Sequence, residues 1–170
     1  MTTTGAALLA NSLSFLLGAL IAVWYLAPWL NRRGRVDALT ALLWFNAFRF
    51  VALELFSAQS AGLRIPNALR DQIAYGDLTV SLLAVLAIVA LRYRFRSAVW
   101  LVWIFAAASA VDLANALVSG VRNAMLAEVH DVPWLILCFY VPALWITLGL
   151  VVWQLISRSR EPLFASPVAG

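Results

Sequence analysis

The chain has 170 residues, of which 64% are apolar and 12% charged, with a mean hydropathy of +0.91. Soluble domains are roughly a quarter charged, so a soluble enzyme, a nucleic-acid module and a disordered chain are excluded and a multi-pass helical membrane protein is left. The net charge of +4 comes from arginines scattered over short loops without forming a stripe, and nucleic acid is not an expected partner.

Crossing a bilayer core of about 30 Å at about 1.5 Å per residue takes about 20 mostly apolar residues. Five runs are read as spans, at residues 6–30, 38–58, 77–91, 98–119 and 133–156. They predict an all-α bundle in one transmembrane domain, residues 1–157, followed by a polar, disordered cytoplasmic tail, residues 158–170. Residues 1–11 hold no basic residue and the first run is too long for a signal h-region, so no cleavable signal is expected. After the second run, Asn67 is expected to cap a short interfacial helix with Leu69 and Ile73 on one side and Arg70 and Asp71 on the other. Asp77, following Gly76, is expected to N-cap the third and shortest span. In the fourth, Ala108, Asp112 and Ala116 form a small-residue stripe beside Ala106, Ala110 and Ala114, which predicts a central helix with Asp112 facing protein. His130-Asp131 precedes the fifth span as a solvated pair. Pro142 removes one backbone bond and is expected to free the carbonyl of Cys138, next to the phenol of Tyr140.

Basic residues in short loops set orientation. Arg32, Arg33, Arg35, Arg92, Arg94, Arg96, Arg158 and Arg160 share one side; Arg64, Arg70 and Arg122 share the other. The N-terminus is therefore expected outside and the C-terminus in the cytoplasm. Trp24, Trp29, Trp100, Trp103 and Trp153 fall toward the arginine-rich ends of their helices and Trp134 at the opposite rim, as an aromatic belt would.

Charges inside the spans are costly, about 2.5–3.5 kcal/mol each at mid-bilayer on insertion scales. Arg49, Glu54 and Asp112 are such charges, accompanied by Asn46, Asn115 and Tyr140. Counting from the helix ends places Arg49, Asp112 and Tyr140 about 11–13 Å, and Glu54 and Asn115 about 6–7 Å, below the outer surface. At about 100° per residue, Asn46 lies about 60° from Arg49 and about 80° from Glu54. The matched depths predict an Arg49–Asp112 ion pair. The inner half of the spans reads as nearly devoid of polar groups.

The segments Phe48-Arg49-Phe50-Val51-Ala52-Leu53, Ile65-Pro66, Ala74-Tyr75-Gly76-Asp77-Leu78, Ala110-Val111-Asp112-Leu113-Ala114, Gly120 and Tyr140-Val141-Pro142-Ala143 resemble an uncharacterised family of small bacterial five-span membrane proteins. That family's pattern has a Trp-Arg pair in the second helix, where Phe48 stands here, a Gly-Asp opening the third, a Leu-Asp-Leu in the fourth and a proline-kinked last helix. The resemblance implies no activity; it singles out Arg49, Asp77, Asp112 and Pro142. The chain is also similar to tryptophan-rich sensory (translocator) proteins in size, Trp content and Val141-Pro142-Ala143-Leu144-Trp145, but lacks their long first loop. The sterol-isomerase-like family also buries carboxylates among five helices; its residue pattern does not map onto this chain.

No cofactor or metal is expected. Without lysine there is no Schiff base to retinal or pyridoxal, and one His and one Cys, Cys138, exclude intrachain bis-His haem, a disulfide and Cys-ligated clusters. The expected function is binding of a small amphipathic or lipid-like molecule in a polar pocket of the outer half, anchored by Asn46, Arg49, Glu54, Asp77, Asp112, Asn115 and Tyr140. The alternatives are a subunit of an oligomeric transporter or proton-linked channel, a structural subunit of a larger membrane complex, and an enzyme using Glu54, Asp77 or His130 as acid or base. Expected surroundings are the lipid bilayer of the bacterial cytoplasmic membrane and, with the choice left open, a second copy or another membrane protein.

Overall fold

Each of the five apolar runs is helical in the computed structural model, which describes residues 2–161 and 163. In chain order these are α1 (Thr3–Asn31), α2 (Arg35–Ser60), α3 (Asn67–Arg92), α4 (Ala98–Arg122) and, after a short helix α5 (Met125–Glu128), α6 (Asp131–Ser157). The five long helices are long and apolar enough to cross a membrane, compatible with an integral membrane protein, and no strand occurs among the described residues.

The packing is that of a bundle whose outside is as apolar as its inside. Leu16, Trp24, Tyr25, Trp100, Val111 and Val121 point outward, while alanines and leucines together fill the interior. Between helices surrounded by lipid tails there is no hydrophobic drive, so close backbone approach decides packing. This puts α3 in the middle, with the most extensive contacts to both α2 and α4. Its buried face carries Ala74, Ser81, Ala84, Ala87 and Ala90. The expectation of a central α4 is corrected accordingly, since Ala114 of its second stripe is exposed. On the periphery, α1 lies against α6; a Cβ at Gly18 would sit 2.6 Å from Ile146 Cδ1.

Three departures from α geometry shape the bundle. α2 tightens into a 3₁₀ helix over Phe48–Leu53. With three residues per turn, positions three apart eclipse, so Arg49, Ala52, Leu55 and Ala58 are all buried while Phe48, Phe50, Val51 and Leu53 face out. α1 and α6 each widen into a π segment before a proline: Ala22–Leu26 ahead of Pro28, and Ile136–Tyr140 ahead of Pro142. In α6 the Val141 N–H reaches the Ile136 carbonyl five residues back. Continued by one residue, that register leaves the Leu137 carbonyl an orphan opposite the proline's missing N–H. The orphan is answered by Asn11 of α1, whose Nδ2 donates to the Leu137 carbonyl at 3.0 Å. Cys138 is buried with its Sγ 3.6 Å from the Ala7 carbonyl.

The segment expected as a short interfacial helix and the third span form a single helix, α3, starting at Asn67 after Pro66. Asn67 does not cap it; its Oδ1 accepts from Gln59 Nε2 at 2.8 Å. Beyond α6, Arg158 donates to the Arg33 carbonyl at 3.1 Å and the Glu161 carbonyl accepts from Arg35 at 3.0 Å. Pro162 and residues 164–170 of the expected tail lie outside the described residues.

Candidate functional site

Arg49 is the centre of the site. It is 1% exposed, turned inward by the 3₁₀ segment, and side chains from two other helices answer it. Its Nε donates to Asp77 Oδ1 of α3 at 2.6 Å, one terminal nitrogen to Ser109 Oγ of α4 at 2.7 Å, and the other to Asp112 Oδ2 of α4 at 2.5 Å. The last nitrogen also lies 2.5 Å from Asp77 Oδ1. The expected Arg49–Asp112 pair is thus formed, as part of a triad. Asp77 is not an N-cap but sits inside α3, ten residues past its start. Gly76 explains how the carboxylates fit: a Cβ there would overlap the Asp112 carboxylate, so only glycine lets α4 bring that group against α3.

The other expected site residues lie elsewhere. Asn46 is fully buried one turn away, donating to the Leu42 carbonyl at 3.0 Å and to Thr147 Oγ1 at 3.3 Å, with its Oδ1 unpartnered among the described residues. Glu54 is half-buried and makes no side-chain hydrogen bond among the described residues. Six 3₁₀ residues turn α2 by about 120° more than an α-helix would, which carries Glu54 away from the face of Asn46. Asn115 is exposed on α4. Tyr140 stays on the outer side of α2, where its hydroxyl donates to the Phe45 carbonyl at 3.0 Å and its ring meets Phe45 at 5.3 Å between centroids. Of these groups only Tyr140 borders the groove described below.

Four residues of the interior escaped the sequence reading. Ser109 bonds Arg49; Ser81 donates to the Ala47 carbonyl at 2.5 Å; Thr147 pairs with Asn46; and Gln154 is fully buried near the far end of α6. The other half of the bundle is therefore not devoid of polar groups. Their signal was a helical position on the face of buried neighbours, which is weak for small hydroxyl side chains that also bond their own helix.

A family model for a Domain of unknown function (DUF8737) matches residues 6–156. The chain belongs to this family. No curated protein and no solved structure matches it. The DUF8737 match covers all five long helices and hence the whole triad. Among the described residues no group of three or more His, Cys, Asp or Glu is placed to hold a metal ion.

The second feature of this DUF8737 chain is a groove of about 530 Å³ on the outer flank, where the 3₁₀ segment of α2 faces the π segment of α6. Phe48, Phe50, Val51, Phe139, Tyr140 and Ala143 are among the residues that line it, and it is almost wholly apolar. The triad and the groove lie back to back: Arg49 faces the interior and its neighbours Phe48 and Phe50 face the groove. Chemically, the triad is a saturated ion cluster with few donors left for a ligand, while the groove is an open apolar receptacle.

Proposed function

We propose that the protein is a multi-pass protein of the bacterial cytoplasmic membrane, N-terminus outside, that holds the apolar chain of a small amphipathic or lipid-like molecule. The groove between α2 and α6 carries this reading. An apolar recess of about 530 Å³ on a lipid-facing flank is of the size that ligand sites have, and left empty it forfeits the dispersion contacts of its walls. The polar end of the ligand would lie beside Tyr140, the one group of the expected anchor set on the groove wall. The arginine-rich loops at one end of the bundle support the orientation. Ala143→Trp fills the recess and tests the reading. Native mass spectrometry from nanodiscs is expected to show an apolar-chain adduct on the wild type and its loss from the variant. A bare wild-type protein overturns it.

A second reading, a proton-linked subunit, is favoured by the charge count of the triad. Arg49 balances only one of Asp77 and Asp112, so the cluster becomes neutral when one carboxyl takes a proton. Proteoliposomes are then expected to pass protons in a manner abolished by Asp112→Asn; flux that survives the change sinks this alternative.

A further inference from the structure

At the bundle end opposite His130, three chain segments converge on a polar cleft of about 550 Å³. Arg35 and Asp37 come from the start of α2, Arg92 and Arg94 from the end of α3, and Arg158 and Glu161 from the turn after α6. The charges do not balance: four guanidinium groups face two carboxylates. Glu161 is already committed to Arg158, which donates to it at 2.7 Å. That hydrogen bond, foremost, holds the Glu161 carboxyl below the ordinary glutamate value, so it stays ionised on Arg158.

Arg35 is the unusual member. It is 7% exposed and donates to two backbone carbonyls, of Glu161 at 3.0 Å and Leu155 at 3.3 Å, with no carboxylate contact among the described residues. Its Nε is buried and has no partner among the described residues. A buried guanidinium hydrogen-bonded only to neutral carbonyls has its charge compensated only in part, here by the nearby Glu161 carboxylate that Arg158 already holds. Arg92 and Arg94 are exposed and make no side-chain hydrogen bond or ion pair among the described residues.

Arg94 also occupies a glycine's place. The end of α3 closes with Phe95 N–H on the Ala90 carbonyl at 2.9 Å and Arg94 N–H on the Leu91 carbonyl at 3.3 Å. This is the Schellman pattern, whose left-handed residue is usually glycine; here it is Arg94, at φ +56°. A bulky cation stands where the backbone favours no side chain at all.

We propose that this cleft binds a phosphate oxyanion, supplied either by an anionic lipid headgroup or by a soluble phosphate compound. Arginine's planar fork matches phosphate oxygens bidentately. The cleft also lies where the apolar helices end, at headgroup level for a chain that crosses a bilayer. Neither the groove ligand nor the triad enters this reading.

The test uses the full chain and Arg94→Gly, which removes one guanidinium while placing the preferred residue at the left-handed position, so folding is expected to hold or improve. Thermal unfolding is followed in phosphatidylcholine nanodiscs with and without phosphatidylglycerol, and in detergent with inorganic phosphate against chloride at equal ionic strength. Stabilisation of the wild type by phosphatidylglycerol alone assigns the headgroup as the source; stabilisation by inorganic phosphate assigns the free anion. In either case Arg94→Gly is expected to bind about tenfold more weakly. No stabilisation by either probe overturns the proposal, and so does equal stabilisation of wild type and Arg94→Gly.

Discussion

Arg49 shows what an interior charge demands of its neighbours. Its guanidinium donates to Asp77, Ser109 and Asp112 on two other helices, so its removal strands two carboxylates facing each other. Breaking a buried ion pair by deleting one partner costs about 3–5 kcal/mol, much of it the penalty of the charge left behind. Arg49→Ala is accordingly expected to lower stability by about 3 kcal/mol or more. Adding Asp112→Ala should recover part of that loss, measured as unfolding free energy in a double-mutant cycle; strict additivity would contradict the coupling. Gly76 offers a sharper probe of the same contact. A methyl there collides with the Asp112 carboxylate, so Gly76→Ala should cost about 1–3 kcal/mol, as overpacking does. The penalty should vanish when Asp112 is already alanine. A penalty that persists in that background would mean that α3 needs glycine at this point for some other reason.

At the scale of the element, the helices obey two rules that depart from the α-helix. The 3₁₀ turn of α2 gives Arg49 and Ala52 one common face, and the π turn of α6 leaves the Leu137 carbonyl to be answered by Asn11. Asn11→Ala removes the donor to that carbonyl and is expected to cost about 1–2 kcal/mol, the penalty of an unanswered buried acceptor. Pro142→Ala restores a backbone N–H, so the loss from Asn11→Ala should shrink in that background; unequal unfolding midpoints of the same size in both backgrounds would refute the pairing. These turns also mark where the sequence stopped being readable. Runs of apolar residues announced five helices, because a spanning length is a property of composition. The matched depth of Arg49 and Asp112 announced their pairing, because unpaired charge is expensive there. Glu54 was placed beside Asn46 only on the assumption of 100° per residue, which the 3₁₀ segment violates. Gly76-Asp77 reads locally as a break and a cap, and nothing short of the opposing Asp112 reveals that the glycine admits another helix. Ser81, Thr147 and Gln154 carry only a weak mark of facing inward, their helical position, since small hydroxyl side chains can also bond their own helix.

For the whole molecule, charge asymmetry is the property with the widest reach. Arg158 bonds the Arg33 carbonyl, and the cleft gathers residues from the start of α2, the end of α3 and the turn after α6, so the arginine-rich loops share one end of the bundle. In short loops such an excess keeps its end in the cytoplasm. The reading of orientation and the headgroup level of the phosphate cleft both turn on this. Cysteine accessibility decides it, because the native thiol is silent: Cys138 is fully buried. Thr3 and Ser159 are exposed at opposite ends. A membrane-impermeant maleimide is expected to label Thr3→Cys in intact cells and Ser159→Cys only after lysis. The reverse pattern would put the arginines outside, against the positive-inside bias. Labelling of both in intact cells would mean that the two ends share one side, which five crossings forbid.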